Sequence, residues 1–328
     1  MAETKVRKWR WGVNRWFVLL FIILGVIGAN LYPPVQPHIQ VAAEPLTEHP
    51  LFSSPILGDV YLTNTMLAMV VVDIILLLIV VAVRKAVRSG SLVPQGISGA
   101  VEALFETLYN LTESSAGAKW AKTIFPYFSI IMLTVLVANL TKLIPGYETI
   151  GLLHPSEHGA PIKELFPGVY TLIKGEVEHG GGYGLIGFLR GLPTDLNFTV
   201  ALALFSVIMT QVIGVRAQGA RYFKKFFNFG TLFSKPGFGL IDMAVGLLEL
   251  ITEFAKILSF SFRLFGNMFA GLVLLVVVGS LIPVFFQSGV LLFEVFIGFI
   301  QAFVFGILTM VFMVQATQGH GDDNVQHG

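Results

Sequence analysis

Long apolar runs alternate with short basic stretches along this chain of 328 residues. A helix that crosses a membrane needs about 20 predominantly apolar residues. Runs of that kind occupy 16–32, 65–83, 125–145, 196–215, 237–283 and 290–316. The stretch 96–114 differs: it is short, carries Glu102 and Glu106, and spaces its apolar residues at helical intervals. That pattern predicts an amphipathic helix lying along the membrane surface or packed on other helices. The tract 237–283 is too long for one upright crossing, because at about 1.5 Å per residue it reaches roughly 70 Å against a hydrocarbon core of about 30 Å. Single glycines and isolated charges punctuate it, but no polar loop does. One strongly tilted helix is therefore expected there, not two. The run 290–316 is also long for one crossing.

Composition agrees with the pattern. The chain is 55% hydrophobic and 12% charged, against about 25% charged in ordinary soluble domains. This indicates an all-α integral membrane protein with several crossings and excludes a soluble enzyme with a large core. The formal net charge of +1 gives no case for nucleic-acid binding. With no cysteine there are no disulfides, no thiolate metal sites and no cysteine nucleophile.

Lysine and arginine set the orientation. Five fall in residues 1–15, none in 33–64, five in 84–122, four in 142–193 and five in 216–235, so that only Lys256 and Arg263 stand inside a membrane tract. The alternation predicts both termini on the cytoplasmic side, with the start of the 290–316 run outside. Residues 1–32 read as an uncleaved anchor helix in preference to a signal peptide, since the small-residue site VAA at 41–43 lies well past the apolar run. No internal repeat of the transporter type is visible.

Ionisable groups within membrane segments are expensive and normally face protein or water. The deep ones are Asp73, Glu249, Glu253, Lys256, Arg263 and Glu294. At 100° per residue, Glu249, Lys256, Arg263 and Asn267 fall within one stripe of a helix that is otherwise mostly apolar. Glu294 and Gln301, seven apart, share a face of the last helix. The predicted orientation puts Glu249 nearer the cytoplasm, Glu294 nearer the outside, and Arg263 deeper than either. Two acidic entrances with an arginine between them suggest two offset half-paths for a cation. Arginine does not release its proton, so Arg263 fits a fixed charge that drives a nearby carboxylate to ionise and blocks leakage. For Glu253 and Lys256 an internal ion pair is an equal reading, beside a place on the path. Asp73, central in 65–83, either lines a path or makes a polar contact with a neighbouring helix. Gly266 and Gly271 keep the long helix thin near Arg263, for close packing or for a partner's approach.

These residues resemble a known family. RLFGNMFAG at 263–271, fourteen residues after the Glu249 of LLELITEFAKILSFS, is similar to the core of subunit a of the F-type ATP synthase membrane sector, of bacterial type. EVFIGFIQAFVFGILT at 294–309 resembles its last helix, LPTDLNFTVALAL at 192–204 its entry to an earlier span, and LVPQG with Glu102 its surface helix. The resemblance covers about 62–146 and 192–318. It implies a stator beside a rotating ring of c subunits, with a C-terminal pair of long tilted helices facing that ring. It places the family's essential arginine on Arg263, the accompanying asparagine on Asn267, the cytoplasm-side glutamate on Glu249 and the glutamine of the last helix on Gln301. Many bacterial members carry an acid nine residues after the arginine and a histidine seven before the glutamine; this chain has Leu272 and Glu294 there. Glu294 is then expected to carry the outer half-channel. Asp195 and Asn197, in the LPTDLN motif, join Asp73, Glu253 and Lys256 as further candidates to line the path.

The implied function is ion translocation coupled to rotation and ATP synthesis. The implied partners are the c-subunit ring, the b subunits of the peripheral stalk, the remaining F-type subunits and membrane lipid, in a bacterial plasma membrane with the C-terminus cytoplasmic. No cofactor, metal or nucleic acid is expected, and no G-x-x-x-x-G-K-[ST] nucleotide loop occurs. Residues 1–61 read as an N-terminal extension and 62–328 as the membrane domain, with 147–191 an external insertion. Within that insertion, His154 and His158 have a metal-compatible spacing that Pro155 and Gly159 oppose, and GGGYGLIG at 180–187 reads as a flexible external loop. The alternatives are a stand-alone secondary transporter or channel, and an intramembrane enzyme, for which the spans show no nucleophile or metal cluster.

Overall fold

The computed structural model describes residues 11–31, 40–55, 58–88, 97–144, 146–156, 159–175, 181–226, 236–281 and 285–318. LVPQG at 92–96 and His158 lie outside the described residues. The long helices are α1 (Trp11–Leu31), α2 (Asn64–Arg88), α3 (Ile97–Thr141), α4 (Leu196–Gln218), α5 (Pro236–Leu281) and α6 (Phe285–Thr317). Five of the apolar stretches are long enough to cross a membrane, and α1 is a shorter apolar helix. The protein is thus a predominantly α-helical, multi-pass membrane protein.

Two expectations meet their outcome directly. The tract 237–283 is one helix, with α5 running unbroken for 46 residues. The amphipathic stretch and the third span are not separated by a loop; they join as α3. The junction is Gly117, whose φ of 72° and ψ of 162° lie in a region open essentially only to glycine. The first arm packs inward rather than lying free. Leu108 is buried in a cluster with Ile124, Phe128 and Met132 from the second arm, Ile213 of α4 and Met310 of α6.

The chain falls into two units. The larger comprises 41–150, 188–269 and 295–328 and is organised around α3. Ile131 and Val135 of α3 pack with Ala203 of α4, Phe260 and Leu264 of α5, and Ala302 and Phe305 of α6. Val137 and Ala138, further along α3, meet Ala68 and Val72 of α2. Apolar packing gives little direction between helices in lipid, so polar contacts matter disproportionately. Asn139 donates to the Gly298 carbonyl at 2.8 Å, and Ser206 and Thr309 share a hydrogen bond of 2.8 Å.

One end of this unit is tied by polar groups. A short hairpin, β1 (Phe52–Ser54) with β2 (Gly58–Val60), precedes α2. Asn64 exchanges hydrogen bonds with Glu44, and the buried Arg190 donates to the Ala42 carbonyl at 2.6 Å. Asp195 caps α4 by accepting from the Asn197 amide at 2.9 Å, and accepts from Thr65 at 2.8 Å.

The smaller unit comprises 1–40, 151–187 and 270–294. The insertion read as a loop contains two nested antiparallel hairpins. β3 (Gly151–Ser156) pairs with β6 (Gly182–Gly187), and inside them β4 (Ile162–Phe166) pairs with β5 (Val169–Leu172). GYGLIG is therefore a strand, a correction to the flexible loop. Its glycines are occupied: a side chain at Gly182 would meet the Gly159 backbone, and one at Gly184 would meet the His154 ring. Neither is free to cradle a phosphate. Among the described residues no cluster of His, Asp and Glu suited to a metal is present.

Candidate functional site

Helix α5 carries the predicted polar stripe, and its surroundings divide into three stations. The first, in the larger unit, is a cavity of about 210 Å³ lined by Tyr222, Lys225, Glu249, Glu253, Lys256 and Phe312, among others. Glu253 is its centre, with only 8% of its surface exposed. Its carboxylate accepts from Lys256 at 3.0 Å, from Lys225 at 3.3 Å and from Gln211 of α4 at 2.9 Å. Tyr222 donates to the Gln211 carbonyl oxygen at 2.8 Å, which orients that amide. Lys225 also pairs with Glu249 at 3.6 Å. Both ammoniums lie over aromatic faces: Lys225 is 4.2 Å from the Tyr222 ring centre and Lys256 is 4.6 Å from that of Phe312, an attractive arrangement for a desolvated cation.

Two carboxylates and two ammoniums therefore balance within one cavity. Burial pushes the Lys225 pKa down, but the Tyr222 hydroxyl and the carboxylates of Glu253 and Glu249 outweigh it and hold it above the ordinary lysine value. Glu253 and Lys256 form the internal ion pair that their three-residue spacing allows.

Seven residues beyond Lys256, Arg263 is half-buried and donates to Ser259 one turn back at 3.2 Å. Among the described residues no carboxylate pairs with it. The flank beside it is open: a side chain at Gly266 would meet nothing within 4 Å, and Leu258 and Phe262 are exposed. Asn267, on the same stripe, donates to Gln301 of α6 at 2.8 Å. Gln301 is buried, and its own amide nitrogen makes no hydrogen bond among the described residues. The two family positions that the sequence assigns to different helices are thus in contact.

The third station belongs to the smaller unit. Glu294 of α6 is 4% exposed, and its carboxylate lies where a side chain at Gly271 of α5 would stand. Gly271→Val is expected to drive that carboxylate from its place. The overpacking would cost about 1–3 kcal/mol, read as a lower unfolding midpoint of the detergent-solubilised protein. Gly289→Ala, at a glycine with open space, should leave that midpoint near normal.

The remaining candidates sit elsewhere. Asp195 and the Asn197 backbone form the α4 cap, with the Asn197 side chain exposed. Asp73 is exposed on α2 and shares no hydrogen bond or ion pair with the stripe. The sequence reading missed Gln211, Tyr222 and Lys225. Gln211 could have been found as the one glutamine inside the 196–215 run. Lys225 could not, because periodicity along α5 says nothing about a cation 28 residues before Glu253.

Comparison with known proteins gives a consistent result. Residues 65–314 match the family described as ATP synthase A chain. ATP synthase subunit a 2 of Syntrophotalea carbinolica is 29% identical over 282 residues, covering 86% of this chain and 92% of that protein. ATP synthase subunit a 1 of the same organism is 30% identical over 232 residues, 70% of this chain and 77% of that protein. The sodium-ion-specific ATP synthase subunit a of Propionigenium modestum is 28% identical over 300 residues, 89% of each chain.

Proposed function

The chain belongs to the ATP synthase subunit a family, the ion-translocating stator of the membrane sector, and from that premise we propose that Arg263 is the fixed cation past which the ionised carboxylates of a c-subunit ring are carried. The observation that carries this reading is a guanidinium that has no carboxylate of its own among the described residues, beside an open helix flank and on one stripe with Asn267. A guanidinium keeps its proton, so it neutralises a passing carboxylate without relaying protons between the two sides.

We assign Glu294, Gln301 and Asn267 to the outer path, and Asn267 and Gln301 are already in contact. Many family members place their acid at the position that is Leu272 here. In this chain the Glu294 carboxylate lies against Gly271, one residue earlier, which supports α6 delivering the acid that α5 lacks. The inner path is the cavity of Glu249, Glu253, Lys225 and Lys256, with Glu249 as the exchanging group. Glu253, held by three donors, is the anchor that orients both lysines. A neutralised rotor site turns through lipid, and each charge that crosses gains about 2.3 kcal/mol per 100 mV of membrane potential. The basic stretches support both termini being cytoplasmic, and the chain itself carries out no nucleotide chemistry.

Reconstitution tests this. The purified chain alone in proteoliposomes should move neither protons nor sodium, whereas the whole complex should pump one of them on ATP addition. Transport by the isolated chain would sink the stator reading in favour of a free-standing transporter.

A further inference from the structure

Helix α2 turns an ionisable group away from its own bundle. Ala68, Val72, Ile75, Leu76 and Ile79 pack toward α3 and its neighbours. The opposite stripe is exposed and contains Met66, Met69, Val70, Ile74, Leu77 and Val80, with Asp73 at its centre. Asp73 lies nine residues from Asn64 and eleven from Arg84, about 14 Å and 17 Å along the helix axis. In a hydrocarbon layer of about 30 Å that is close to the middle. Among the described residues it makes no hydrogen bond or ion pair. An intramembrane carboxylate facing hydrocarbon is expensive, and such groups pair with protein or water.

We propose that the outward face of α2 is an interface for a membrane helix of another subunit, which supplies a hydrogen-bond donor or a cation to Asp73. The chain's own first helix does not meet that need. Between Phe17 and Ala29 its sequence, FVLLFIILGVIGA, has no side-chain donor, and its polar residues Asn14, Arg15 and Asn30 stand at its ends. The size of the neighbours narrows the partner further. The stripe around Asp73 is built of Met, Val, Ile and Leu, without the small residues that let two helix backbones touch. A short aspartate among bulky neighbours is reached from an ordinary interhelical distance by a long side chain, so the partner's group is an arginine, lysine or glutamine near mid-membrane. This surface is independent of the ion path, because Asp73 shares no contact with the α5 stripe.

The test uses the assembled complex. Asp73→Cys carrying a short photo-crosslinker should join a membrane helix of a different subunit, and a nitroxide there should be shielded from lipid-dissolved oxygen. Asp73→Leu should lower retention of that subunit through detergent purification several-fold, while Asp73→Asn, which still accepts a hydrogen bond, should retain more of it. The inference fails if the nitroxide relaxes like one in open lipid. It also fails if crosslinking reaches only α1 of the same chain, or if all three variants keep every subunit at full stoichiometry. Should Asp73→Leu not assemble, crosslinking from Asp73→Cys decides alone.

Discussion

Arg263→Ala should abolish ATP-driven ion pumping while leaving the complex assembled. The two halves of that expectation have different causes. Among the described residues the guanidinium's hydrogen bond is to Ser259 of the same helix, so its removal strands no partner on another helix. Functionally it would face a passing carboxylate, and a unit pair about 4 Å apart at an effective dielectric constant of about 20 is worth roughly 4 kcal/mol. Losing that much from the rate-limiting passage corresponds to about a thousandfold. Proton uptake into inverted vesicles, driven by ATP, reads the result directly. Pumping at normal rates in the variant would overturn the mechanism. Arg263→Lys keeps the charge but not the planar fork, and ammonium and guanidinium are not equivalent at such sites. It should rescue little.

The second large effect is one of stability. Glu253→Leu should destabilise the protein by about 3–5 kcal/mol, the usual loss when one partner of a buried ion pair is removed. The side chains of Glu253, Lys225 and Lys256 are 11%, 15% and 21% exposed, so solvent does little to replace the missing partner. Two ammoniums would then face each other across the cavity, and the Gln211 amide would lose its acceptor. Thermal denaturation of the detergent-solubilised complex measures the loss. Lys256→Leu added to Glu253→Leu should recover part of it, since one uncompensated charge goes with the carboxylate. Glu249→Leu should be milder, because its pair with Lys225 is longer, at 3.6 Å, and its side chain more exposed, and such a pair contributes about 1 kcal/mol or less. Equal losses from Glu249→Leu and Glu253→Leu would show that Glu253 is not the anchor.

Much of the architecture was legible because membrane insertion imposes a length on apolar runs. The runs at 65–83, 196–215, 237–283 and 290–316 correspond to α2, α4, α5 and α6. The absence of a polar break in 237–283 sufficed to expect one helix there. The spacing of Glu249, Lys256, Arg263 and Asn267 placed them on one stripe, since a helical period fixes directions around its own axis. Composition in turn excluded a soluble enzyme. The insertion was less legible: its glycines suggest a loop, yet Gly151, Gly182 and Gly184 are small because backbone and the His154 ring pack against them.

Partners across elements were decided only in three dimensions. The sequence offered Lys256 a neighbour at either Glu249 or Glu253, and the fold chose Glu253 by bringing Lys225 and Gln211 to the same carboxylate. It joined Asn267 to Gln301 and set Glu294 against Gly271. It also turned Asp73 outward, because the opposite face of α2 is the one α3 covers. A repeat of 3.6 residues records which way a side chain points from its own helix. What stands opposite depends on which helices approach and at what height, and that is set by the packing of whole surfaces.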